Sequence, residues 1–90
     1  MPNVLASLRM LKRIYGYPDA ALAPILGVSR AAVSARLNGQ TDLKARELVA
    51  LAHWFKVPID LLERGPNDVM GYVVAHDPGL GHPDDRARGA

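Results

Sequence analysis

The sequence predicts a small all-α domain, and three observations carry that reading. Apolar residues recur at helical spacing as far as Arg64, for example Val4, Leu8, Leu11 and Tyr15, or Leu48, Leu51, Ala52 and Phe55. Gly, Pro, Asn and Ser break this stretch into lengths that suit short helices. Finally, 90 residues with a 49% apolar share suffice for one domain, near the size at which a single core sustains folding alone.

Five helices are expected in the body. The first runs from about Val4 to Tyr15, with Asn3 as its cap and Gly16 as its end. A second follows to Leu26 and is closed by Gly27. Pro24 inside it predicts a short, irregular helix, and Asp19 is the expected cap because Pro18 has no side chain to do so. Ser29 caps the third, which ends at Asn38-Gly39. The loop "QTDLK" leads to a fourth ending near Phe55. Pro58 then opens a fifth of one or two turns through Leu61 and Leu62, stopped by Gly65-Pro66.

None of these helices is long enough to be stable alone, so packing must hold them. The expected core is Leu8, Leu11, Leu22, Leu26, Val33, Leu37, Leu48, Leu51, Phe55, Leu61 and Leu62, with Val57 and Trp54 closing its edge. Residues 1–65 form this body. In residues 66–75 the run "VMGYVV" fits a strand, a segment draped on the body or a dimerisation segment. Residues 76–90 are rich in Gly, Pro and Asp with little to bury, and are expected to form a flexible tail.

Composition narrows the function classes. The chain has no cysteine, which excludes disulfides and thiolate metal sites and agrees with a reducing cytoplasm. No apolar run approaches the ~18 residues of a membrane span, and "MPNVLASLRML" lacks a signal-peptide layout. His53, His76 and His82 are scattered, with no spacing that groups them with a carboxylate or nucleophile. No catalytic residue, metal site, cofactor or small-molecule ligand is therefore expected. The net charge of +2 is uneven: bases outnumber acids up to Arg64, and Asp68, Asp77, Asp84 and Asp85 face only Arg86 and Arg88 beyond it. A basic body suits a polyanion, and suits solubility equally well.

The most informative stretch is "GVSRAAVSARLNG", residues 27–39. Two helices joined by a tight, glycine-containing turn make a helix-turn-helix. Leu22 and Ala23 face inward on the first helix, Ala23 being small where the second crosses it. Gly27 can adopt the left-handed turn conformation, Val28 tucks inward, and Val33 and Leu37 fasten one edge of the second helix. Arg30, Ala31, Ser34, Ala35 and Asn38 remain on the free side. A helix that enters a major groove about 12 Å wide needs such short side chains where it meets the bases.

With "LRMLKRIYGYPDAALAPILGVSRAAVSARLNG" and "ELVALAHWFKVPIDLL" in order, the chain resembles the Cro/repressor helix-turn-helix family, the Xre-like and lambda-repressor-like DNA-binding domains, over roughly Leu5 to Glu63. The resemblance implies a compact five-helix domain and sequence-specific recognition of double-stranded DNA in the major groove. It further implies a homodimer on DNA, and transcriptional repression in the cytoplasm of bacteria or phage-infected cells. About 26 residues after the body leave no room for a second folded domain of typical size, so a compact Cro-type or immunity-type repressor is expected. A protein-interaction module on the same fold, antitoxin-like or partner-docking, is the alternative.

Carried over residue by residue, the resemblance gives ten DNA-binding candidates. Arg30 is placed to read guanine or hold a phosphate. Ala31 and Ala35 are placed against thymine methyls, or serve as helix formers. Ser34 reaches a base or phosphate, or bonds back to its own helix. Ser29 caps the helix whose N-terminus can hold a phosphate. Asn38 contacts phosphate or closes the helix. Thr41, Lys44 and Arg46 lie where phosphate contacts are common. Arg36, on the flank, reaches outward to a phosphate or to an acidic neighbour. Two departures stand out: Asp19 occupies a position where relatives often carry glutamine, and Leu37 replaces an acid that pairs with the first helix in some relatives, leaving Lys12 free for the DNA backbone or solvent.

Overall fold

A computed structural model describes residues 2–76, and within them the chain is all-helical, as expected. The order is α1 (Pro2–Tyr15), α2 (Asp19–Leu26), α3 (Arg30–Leu37), α4 (Ala45–Phe55), α5 (Ile59–Arg64) and α6 (Pro66–His76). Of the expected flexible tail, residues 76–90, His76 ends α6 and the rest lies outside the described residues. No single helix among the described residues is long and apolar enough to cross a membrane.

The sixth helix corrects the sequence reading of residues 66–75. They form neither a strand nor a draped segment but a helix packed on α1 and α5. Gly65-Pro66, read as a stop, is also a start: Pro at a first helical position gives up only an amide that would have no partner anyway. Asp68 in the first turn suits the helix dipole. Val69 and Val73, four apart, drop into the core. Their β-branched preference for strand is worth less than the burial of that stripe.

Helix α1 is the central strut, touching α3, α5 and α6. Leu8, Leu11, Leu22, Val33, Leu51 and Leu62 are fully buried around it. The core also takes in Val4, Met10, Leu43, Val69 and Val73, whereas Leu61 is only partly buried. Trp54 stays at the surface, its ring 4.5 Å from that of Tyr17 in a small aromatic cluster with Tyr15 and Phe55. Ser7 is buried and donates from Oγ to the Leu62 carbonyl at 3.1 Å, which fastens α1 to α5 without leaving a buried polar group unpaired.

Three expected caps and partners change. Asn3 lies inside α1 instead of before it, and its Nδ2 donates to the Glu63 carbonyl at 3.1 Å. Pro18 occupies the position before α2, so Asp19 does not cap; it begins the helix and pairs with Lys12. Lys12 is therefore not free. The acid lost at Leu37 is replaced by a different acid, on α2. Helix α2 is short, as expected, and continues through Pro24.

Candidate nucleic-acid interface

The turn between α2 and α3 is built from Gly27, whose φ of 70° and ψ of 32° lie in the left-handed region. In that conformation the Gly27 and Val28 amides both donate to the Ala23 carbonyl, at 2.8 and 3.1 Å. This closes α2 and turns the chain through 96° into α3. Ser29 does cap α3: its Oγ accepts from the Ala32 amide at 3.1 Å. Val33 and Leu37 are buried, and Val28 and Ala23 pack beside them.

One face of α3 is thereby left outward. Arg30 and Ala31 are exposed, as is Asn38 at the C-terminal end, and Ser34 and Ala35 are half-buried between them. Asn38 donates from Nδ2 to Ser34 Oγ at 3.3 Å, so these two side chains are already joined along the face. The loop then folds back on the helix, with the Gln40 and Thr41 amides donating to the Ala35 carbonyl. That bond sets exposed Thr41 beside the end of α3. Lys44 and Arg46, also exposed, follow at the start of α4. Asp42 is the only exposed acid between Gly27 and Glu47.

Arg36 is placed differently from the other candidates. Its Nε donates to Glu47 Oε1 at 2.9 Å, and its Nη1 to the Ala32 carbonyl at 3.4 Å. Of the two destinations expected for it, the acidic neighbour is the one the fold supplies. Glu47 Oε1 also accepts from the Lys44 amide at 2.9 Å, which caps the first turn of α4. Burial pushes the Glu47 carboxyl up. The Lys44 amide, the Arg36 hydrogen bond and the charges of Arg36 and Lys44 together push it further down, so it rests below its ordinary value.

Sequence reasoning missed Glu47, and it missed Arg9, which donates from Nη1 to the Leu37 carbonyl at 2.6 Å. A Glu three residues into α4 is a capping signal, obscured here because the preceding position is Lys44 instead of Ser or Thr.

A helix-turn-helix family model matches residues 8–62, more than half of the chain. The chain belongs to the Cro/C1-type helix-turn-helix family. The match runs from α1 into α5, so α6 lies beyond it. Searches of curated proteins and of solved structures gave no match. Within this helix-turn-helix family the domain is a DNA-binding regulator of double-stranded DNA. In that frame α3 is the second helix of the helix-turn-helix, and the loop to α4, followed by exposed Lys44 and Arg46, flanks it.

Proposed function

We propose that this protein is a sequence-specific repressor of Cro or immunity type, bacterial or phage, which occupies an operator as a pair of copies. The observation that supports this best is the outward face of α3. It carries one long cation, Arg30, among small residues, and exposed Lys44 and Arg46 stand beyond its end. Such a helix fits a major groove, where an arginine can bond guanine O6 and N7 together. Ala31 and Ala35 approach thymine methyls. Ser34 and Asn38, joined to each other, meet the base edge or the backbone. Ser29, Thr41, Lys44 and Arg46 hold phosphates, and these contacts set the register without reading sequence. Arg36 supports the helix from behind instead of touching DNA. Two copies would read half-sites about one helical turn, ~34 Å, apart.

The test is selection of bound duplexes from a random library, followed by titration of the selected site and a random duplex at two salt concentrations. The repressor reading expects a palindromic site, preferred at least about 1,000-fold, with a steep salt dependence. Equal binding to all duplexes would sink it, and would favour the protein-docking alternative on the same fold.

A further inference from the structure

Helix α3 packs on α1 and α2, and α4 packs on α2 and α5. Between α3 and the first turn of α4, the side-chain link is the Arg36–Glu47 pair. Three parts of the chain converge on one carboxylate oxygen. Arg36 brings α3, the Lys44 amide brings the end of the loop, and Glu47 itself belongs to α4. The pair is deeply placed, with side-chain exposures of 14% for Arg36 and 2% for Glu47. At 100° per residue, Arg36 lies roughly 170° around α3 from the centre of the outward face. It therefore reaches back toward α4 and away from the groove.

Such a pair is a poor device for stability alone. Desolvating both charges offsets most of their attraction, and apolar residues of similar size often serve a core as well or better. Glu47 Oε2 is buried with no hydrogen-bond partner among the described residues, a further cost. What the pair does supply is geometry: Nε and the Lys44 amide must both point at Oε1.

Resting on the DNA-binding reading above, we propose that Arg36 and Glu47 are positioning residues. They fix the offset and angle between α3 and the start of α4, so that the base-facing groups of one and the phosphate-facing Lys44 and Arg46 of the other meet a single duplex in register. The pair acts through these contacts and touches no nucleotide.

The decisive variant is the double replacement R36M/E47L, which removes both charges together and leaves every proposed DNA contact in place. Two readouts separate the outcomes. In the free protein, residual dipolar couplings are expected to show α3 reoriented against α4; an unchanged orientation overturns the proposal, whatever happens with DNA. On DNA, affinity for the selected site is expected to fall about tenfold or more, the scale of a mismatched base pair, with random-duplex binding and its salt slope unchanged. A folded double variant that binds the selected site like wild type overturns the proposal. So does a loss of random-duplex binding with a salt slope lower by about one, which would make Arg36 a phosphate contact. Should the double variant fail to fold, Arg36→Met is read in the same two ways, since it cuts the link to α3 while Glu47 keeps the bond from the Lys44 amide. If wild type itself shows no site preference, the DNA reading fails, and the dipolar couplings still decide the geometry.

Discussion

Arg9 of α1 closes the last turn of α3: its guanidinium donates to the Leu37 carbonyl at 2.6 Å. The last carbonyls of a helix have no partner inside it, and a cation there also meets the negative end of the helix dipole. Helix α3 is thus closed at both ends, by Ser29 Oγ at the start and by a residue 28 positions away at the finish. Arg9→Ala is expected to cost about 1 kcal/mol in urea unfolding. It should also raise amide exchange in the final turn of α3 more than in the first.

Arg30 is the long cation on the outward face of α3. If it reads a guanine, Arg30→Ala should lower affinity for the selected site by about 1–3 kcal/mol and relax preference at one base position. Binding to random duplex should fall much less, and thermal stability should not move. Equal losses on both duplexes would mark Arg30 as a phosphate contact instead.

Lys56, with φ of 60°, is the one described non-glycine residue in the left-handed region, where it closes α4. That conformation costs an L-residue with a Cβ about 1–2 kcal/mol, part of which glycine returns through the entropy of the unfolded chain. Lys56→Gly is therefore expected to stabilise the domain by about 0.5–1 kcal/mol. The urea midpoint should rise while its slope stays the same.

Glu47 gives the fold an acid-sensitive component. Its folded carboxyl titrates below the ordinary value, so as pH falls the unfolded chain takes up the proton first. The stability it contributes is whole above the unfolded pKa, near about 4.3, and is lost as pH falls through the lower folded value. At neutral pH, Glu47→Gln should cost about 1–3 kcal/mol, because Arg36 keeps its charge and loses its counter-charge. Urea midpoints of wild type and variant should approach each other below about pH 4; a gap that stays constant to pH 3 would contradict this.

Helix α6 is part of the core, not an appendage. Val69 is fully buried, so Val69→Ala should cost about 2 kcal/mol. Val74, on the outer side of the same helix, is 59% exposed. If copies pair through this face, Val74 lies in the contact. Val74→Glu should leave the unfolding midpoint within about 0.5 kcal/mol of wild type. Light scattering at matched concentration should then show a smaller particle. If the mass is unchanged, copies do not meet through this face.

Much of the fold was legible because five helices announce themselves by stripe and punctuation. Val33 and Leu37 show the buried edge of α3 directly, and Ser29 behaves as its position dictates. The hidden parts depend on contacts between distant segments. In "VMGYVV", strand propensity and a helical stripe compete, and only the presence of α1 and α5 to receive Val69 and Val73 decides between them. Lys12–Asp19 and Arg36–Glu47 join residues on different helices, so no local spacing reveals them. The candidate interface was legible in its outward residues and illegible in its scaffolding: Arg30 can be found from a helical wheel, but Arg9 and Glu47 need the packed structure.

The brevity of α3 sets a limit on addressing. Eight residues at 1.5 Å each make a rod of about 12 Å, which spans roughly four base pairs. A four-letter word recurs by chance about once in every 250 positions, against about a million or more competing sites in a genome. Perfect reading by one such helix would still return thousands of equivalent addresses. Uniqueness has to come from spelling the word more than once at a fixed interval, and that is what pairing two copies on one duplex would add.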